Sequence, residues 1–293
     1  MNNFANIAII SKPDDALISS TVSTLYKYLQ ERSVKIYVDK VSANLIEGSV
    51  KPNSTEEIAA NCQLAIVVGG DGTILHAAHA LIESGIPMLG INLGHLGFLA
   101  EISPNEINKQ LDKILDGHFI KEKRFVLHAD LIRDEKSIAS YKAINDVVVH
   151  AKEMVRMIEL ETRVNAQYLN TMRADGYIVS TPTGSTAYAL SGGGPILHPG
   201  IGAIVLVPIC PHTLSNRPIV ISENSEVEIR LLHQNRFTAT VSIDGQINMD
   251  FEPGDKLIIK KSTFELHLIQ PETYDYFDVL REKLRWSASP KCK

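Results

Sequence analysis

Apolar residues follow two rhythms along this chain. In the first part, short apolar runs alternate with stretches of helical spacing. "NIAII" (6–10), "VKIYV" (34–38), "LAIVV" (64–68) and "IPMLGI" (86–91) read as buried strands. Between them, Leu17, Val22, Leu25 and Leu29 recur at near-helical spacing over 15–31, and 73–83 is again helical. "SPNE" (103–106) opens another helix with a cap residue, a first-turn proline and a third-position glutamate, and that helix stops near Gly117. Strands alternating with helices imply crossover connections and a parallel sheet.

After "KEKRF" (121–125) the rhythm shortens. "FVLHADLI", "YKAINDVVVH", "VRMIELETRV", "GYIVST", "EVEIRLL", "FTATVSI", "KLIIKK" and "FELHLI" are short, β-branched and partly alternating, which predicts mostly antiparallel strands. "YDYFDVLREKLRW" (274–286) reads as a final amphipathic helix. The expected fold class is an α/β N-terminal domain with a mostly parallel sheet, a β-rich, sandwich-like C-terminal domain and a final helix. The expected bounds are 1–123, 124–272 and 273–293.

Composition narrows the partners. The chain has 293 residues, with 44% hydrophobic and 22% charged, an ordinary globular balance. A net charge of −5 supplies no broad basic field, so neither nucleic acid nor an anionic membrane is an expected partner. Any polyanionic substrate then needs positive charge from local side chains, backbone N–H groups or a metal. Cys62, Cys210 and Cys292 are scattered and odd in number, so neither a disulfide framework nor a zinc site is expected. No signal-like segment precedes the first strand, and no apolar run reaches the roughly 18 residues that span a membrane. The expectation is a soluble, cytoplasmic protein.

The candidate chemistry begins at "LAIVVGGDGTILHAA" (64–78). Gly69, Gly70, Gly72 and Thr73 stand where a strand gives way to a helix, the edge at which ligands bind parallel α/β sheets. Glycines admit close approach, and N–H groups at a helix start favour phosphate oxygens. The chain has no GxxxxGK[ST], and Leu75 stands where a dinucleotide fingerprint needs its third glycine. Such a turn by itself is as often a plain tight turn as a ligand loop. Asp71 within it would repel phosphate, unless it serves a hydroxyl that attacks one: phosphoryl transfer needs an oriented, deprotonating nucleophile. Asn145-Asp146 is a turn or a strand start, and "VVV" after it favours the strand. In "TPTGSTAYALSGGG", Gly184 ends a turn, Ser185 is a candidate cap, and a short helix from Thr186 to Leu190 should stop by Gly192. Asp244-Gly245 in "SIDGQ" suits a hairpin turn. His76 and His79 share a helix face at i, i+3, but no acidic partner is identifiable and zinc usually wants three or four ligands, so a metal role is not expected.

Four blocks, "GGDGT" (69–73), "GINLGHLGFL" (90–99), "AINDVVVH" (143–150) and "DGYIVSTPTGSTAYALSGGGPI" (175–196), resemble the bacterial-type NAD kinase family in order and spacing, along nearly the whole chain. The resemblance implies ATP-dependent phosphorylation of the adenosine 2′-hydroxyl of NAD to give NADP. By it, Asp71 is the catalytic base and Gly72 contacts the dinucleotide, while Asn145 and Asp146 bind NAD and its ribose hydroxyls. Thr186, Ala187, Tyr188, Ala189, Leu190 and Ser191 line the dinucleotide site, with the Tyr188 ring offering a face to a base. Arg173, Asp175 and Gln246 match further NAD contacts, and Phe98 is a candidate pocket wall. Arg156 falls where related enzymes carry histidine; a cation there attracts a diphosphate but carries no proton. The resemblance also implies Mg²⁺ or Mn²⁺ carried with ATP, its protein ligands unidentified, and a homodimer or homotetramer. Two other readings share parts of this pattern: a lipid or sugar kinase with only the glycine–aspartate turn, and a non-catalytic NAD-binding sensor.

Overall fold

A computed structural model of the chain describes residues 4–13, 16–94, 97–100, 102–152, 157–213, 215–234 and 238–286. Arg156 and Cys292 lie outside the described residues. The chain forms two compact units, Met1–Lys123 with Leu266–Lys293, and Arg124–Glu265.

The first unit runs β1 (Asn6–Ser11), α1 (Ala16–Gln30), β2 (Lys35–Val38), α2 (Lys40–Leu45), α3 (Thr55–Asn61) and β3 (Leu64–Val68). It continues with α4 (Asp71–Leu81), β4 (Met88–Ile91) and α5 (Ile107–Leu115). The strands pair parallel in the order β2-β1-β3-β4. Ile7, Ile9, Ile66 and Val68 pack with Ile18, Val22, Leu25 and Leu29 of α1 and with Leu111 and Ile114 of α5. The spacing of Val22, Leu25 and Leu29 records this buried face, but its first member is Ile18; Leu17, read as part of the pattern, is 45% exposed. Strand order reverses at β1, between β2 and β3, the kind of switch point that opens a crevice at the carboxyl edge.

Two short helices escaped the periodicity because each is too brief to show a repeat. α3 is held by a capping box, with Glu57 N–H donating to Ser54 Oγ at 3.2 Å and Ser54 N–H to Glu57 Oε2 at 3.0 Å. α2 starts at Asp39, whose carboxylate accepts from Ser42 N–H at 2.9 Å. The cap expected at Ser103 is not made. Pro104–Glu106 form a 3₁₀ turn in which Glu106 N–H donates to the Ser103 carbonyl at 3.0 Å, and α5 begins only after it.

The second unit contains β5 (Ile120–Arg133, which begins in the first unit), β6 (Lys136–Ala143), β7 (Asp146–Ala151), β8 (Ile158–Val164), β9 (Gln167–Ala174) and β10 (Gly176–Ser180). After a short helix, α6 (Tyr188–Ser191), come β11 (Ala203–Ile209), β12 (Ile219–Ser222), β13 (Val227–Leu231), β14 (Ala239–Ile243) and β15 (Ile247–Phe251). β16 (Lys256–Gln270) then carries the chain back into the first unit, where Leu268 lies parallel to Met88 of β4 and α7 (Tyr276–Leu284) follows.

One antiparallel sheet has the order β12-β11-β10-β7-β14-β15. Its inward residues Val147, Val149, Tyr177, Val179, Leu206 and Val241 meet Leu127, Leu131, Leu160, Ile229, Leu257 and Ile259 of the facing antiparallel strands, giving a sandwich core. Segments read as single strands are redistributed here. "YKAINDVVVH" breaks at Ile144-Asn145 into β6 and β7, whereas "KLIIKK" and "FELHLI" fuse into β16. β9, β11, β12 and β15 were not foreseen; β11 is buried along nearly its whole length and so shows no alternation. No described helix is long and apolar enough to cross a membrane.

Candidate functional site

In the first unit the glycine turn sits at the carboxyl end of β3 and starts α4. A cavity of about 680 Å³ lies there, lined by Ser11, Lys12, Asp39, Gly70, Gly72, Thr73 and His76 among others. Its glycines differ in why they are glycine. A Cβ on Gly69 would overlap the Thr73 hydroxyl and lie 2.7 Å from Thr73 Cβ, so the fold itself requires that residue. Gly70 and Gly72 have no positive φ, and a Cβ on either meets nothing within 4 Å. Neither packing nor backbone conformation asks for glycine at 70 or 72. The bare backbone there is open to a ligand, and the first N–H groups of α4 favour an anion.

Asp71 is the first residue of α4, yet its carboxylate serves a different segment. Phe98 N–H donates to Oδ2 at 2.9 Å, and Leu99 and Ala100 N–H donate to Oδ1 at 3.0 and 3.3 Å. Gly97 makes room for this, since a Cβ there would overlap Asp71 Oδ1. An ionised carboxylate offers about four lone-pair positions, so one remains at Oδ2. The Phe98 ring packs against Tyr276 of α7 with centroids 6.5 Å apart, and it lines neither cavity described here.

In the second unit a cavity of about 820 Å³ gathers Asn145, Asp146, Asp175, Ala187 and Tyr188. Asp146 and Val148 of β7 point into it together with His150, while Val147 and Val149 fill the sandwich core. Strand alternation thus turns "DVVVH" into one wet face and one dry face. The Tyr188 side chain is 47% exposed. Asp146 is only 4% exposed, and burial together with the neighbouring Asp244 charge pushes its pKa up to about 7. Burial first, and Asp244 second, thus favour the neutral carboxyl group of Asp146.

Sequence reasoning missed several lining residues: Val148, His150, Ile209, Cys210, Ser242, Asp244 and Gly245. Asp244 was legible only as a turn former. The turn is present, with φ of 49° at Asp244 and 66° at Gly245, and Gln246 N–H donates to the Ile243 carbonyl at 2.9 Å. Its side chain, however, accepts from Ile144, Asn145 and Asp146 N–H at 2.8, 2.7 and 2.9 Å.

The "TPTGSTAYALS" segment is not one helix. Ala187, at φ −100° and ψ −128°, separates a 3₁₀ turn (Gly184–Thr186) from α6. Ser185 does not cap: its hydroxyl donates to the Pro182 carbonyl at 2.6 Å and accepts from Leu197 N–H at 2.9 Å. Thr186 donates to the Thr183 carbonyl, and Ala189 is buried against Ile178, Val205 and Val207. Arg124 is 2% exposed and donates to Thr183 Oγ1 at 3.3 Å. Arg173, Thr186, Ala189, Leu190, Ser191 and Gln246 do not line the 820 Å³ cavity. Among the described residues, no three His, Cys, Asp or Glu side chains converge as a metal site.

The family models for the ATP-NAD kinase N-terminal and C-terminal domains match residues 7–119 and 144–271. An NAD kinase from Methylococcus capsulatus is 47% identical over 286 residues, covering 98% of this chain and 99% of the relative. One from Azoarcus sp. is 41% identical, covering 99% and 98%. Among solved structures, yeast NADH kinase complexed with NADH has a TM-score of 0.91 at 26% identity, covering 100% of this chain and 91% of that one. An Archaeoglobus fulgidus NAD kinase in complex with ATP has a TM-score of 0.77 at 27% identity, covering 96% and 98%. The chain belongs to the ATP-NAD kinase family.

Proposed function

We propose that this chain is an NAD kinase, transferring the γ-phosphoryl group of ATP to the adenosine 2′-hydroxyl of NAD. The observation that carries this from the geometry is the buried acid Asp146 beside Asn145 in a cavity shared with Tyr188. A carboxyl group next to a carboxamide suits a ribose diol, and an aromatic face suits a base. Asn145, Asp146, Asp175, Ala187 and Tyr188 are assigned to NAD. Arg173, Thr186, Ala189, Leu190, Ser191 and Gln246 keep the roles the resemblance implies, with Ala189 acting through its backbone. Phe98 is assigned to the site wall beside Asp71.

Asp71 is assigned as the base. Its remaining Oδ2 lone pair can accept the hydroxyl proton while the three backbone donors keep the carboxylate aimed. The open backbone at Gly70 and Gly72, with the start of α4, supports phosphate binding. Mg²⁺ or Mn²⁺ is assigned to the nucleotide; carried in with ATP, it would neutralise charge on the transferring phosphoryl group. A homodimer or homotetramer is supported by the edge strand β12, which leaves Ile219 and Val220 37% and 47% exposed. Incubating the protein with NAD, ATP and Mg²⁺ and chromatographing the products should show NADP and ADP in equal amounts. ADP without NADP would discard the assignment.

A further inference from the structure

An acid, Asp244, sits under the backbone of the Asn145-Asp146 pair. Asp244 occupies the β14–β15 turn, one step past the pairing of Ile243 with Val147. Its carboxylate takes the three successive amides of Ile144, Asn145 and Asp146, and its own N–H donates to the Asp146 carbonyl at 3.0 Å. This clamp lies where β6 breaks and β7 begins, so it fixes the direction in which both site side chains leave the backbone. It also sets a second carboxylate beside Asp146, in a cavity that no lysine or arginine lines among the described residues.

Resting on the NAD kinase reading, we propose that Asp244 is a positioning residue of the NAD site: it holds the Asn145-Asp146 backbone and sets a second carboxyl group beside Asp146, so that NAD binding displaces a proton from the pair. Burial is the larger influence on Asp146, and the Asp244 charge acts in the same direction. The other titratable groups on this cavity are His150 on β7, Asp175 before β10, Tyr188 on α6 and Cys210 after β11. Ser180 of β10 is the residue paired with Asp146, and Ser242 of β14, paired with Val148, also lines the cavity. In the empty site, burial and the neighbouring Asp244 both favour the neutral form of Asp146. When the ribose hydroxyls arrive as donors, they favour the ionised acceptor, because hydrogen bonds to a charged acceptor are the stronger ones. The proton passes to the buffer, and no other bond changes.

The test is titration calorimetry of the intact protein with NAD alone, in two buffers of different ionisation enthalpy. At pH 6 the wild type should release between roughly half and one proton per NAD, and near pH 8.5 almost none. Asp244→Asn should release clearly less at pH 6 and bind NAD about tenfold more weakly, since its carboxamide cannot accept from all three amides. Asp244→Glu keeps the charge but not the reach, and should weaken binding while preserving the release. Asp146→Asn should abolish the release; if the release persists there, another group is its source and the proposal falls. NAD binding with no proton release in the wild type at pH 6 overturns it even if no Asp244 variant folds. Failure of NAD to bind at all would instead remove the NAD kinase reading, and this inference with it.

Discussion

Asp71 holds three amides of the 98–100 segment with one carboxylate, so it anchors a loop as well as standing where a base is assigned. Asp71→Asn should therefore do two things. Turnover should fall by roughly 10²–10⁴-fold with NAD affinity kept. Stability should also fall, by about 1–3 kcal/mol, because the new NH₂ group opposes an N–H donor. Steady-state kinetics beside urea unfolding separate the two, and near-normal turnover would remove Asp71 as the base. Asp146 makes the opposite prediction for stability. Its folded pKa, about 7, lies above the ordinary carboxylate value, so the wild type loses stability as pH rises from about 4 to about 7. Asp146→Asn carries no such charge. It should be more stable than wild type at pH 8, on the order of 2–4 kcal/mol, and the gap should close near pH 3. Urea titrations at both pH values check this. At this scale residue identities were readable but their protonation was not, because a pKa depends on burial and neighbours that no local spacing reports.

The turn between β3 and α4 shows how one element mixes structural and functional glycines. Gly72→Ala places a methyl group in open space on the second residue of α4, so stability should hold or rise by about 0.5–1 kcal/mol. The kcat/KM for ATP should nevertheless fall at least tenfold, if the bare backbone is what the phosphates approach. Equal kinetics would show that the glycine is not used. Gly97→Ala should behave differently, losing about 1–3 kcal/mol and activity together, because its methyl group meets Asp71 Oδ1. Thermal unfolding with the coupled assay distinguishes the pair. Both glycines read alike as letters. α1, β1 and β3 were legible because their apolar spacing matches a buried face, whereas β11 lacks alternation and α6 is broken by one residue, Ala187.

The whole molecule is organised by a return of the chain. The first unit is discontinuous, and Leu266, Leu268, Ile269, Tyr276, Val279 and Leu280 are all buried in its second segment. Burying side chains of this size contributes roughly 1.5–3 kcal/mol each, so together they rival the 5–15 kcal/mol stability of a typical domain. A chain ending at Glu265 should not fold its first unit. Circular dichroism and size-exclusion chromatography would show lost helix and aggregation; a cooperative, monomeric product would refute this. The two rhythms of the chain, several of its elements and the family were readable in the letters alone, because periodicity and contiguous motifs are local properties. Tertiary structure alone decided that "FELHLI" closes the first sheet rather than forming a strand apart. It also decided that Asp71 clamps 98–100, and that a turn residue, Asp244, lies under Asn145 and Asp146 almost a hundred positions away. Such contacts join residues distant in the chain, where amino-acid spacing carries no record of who meets whom.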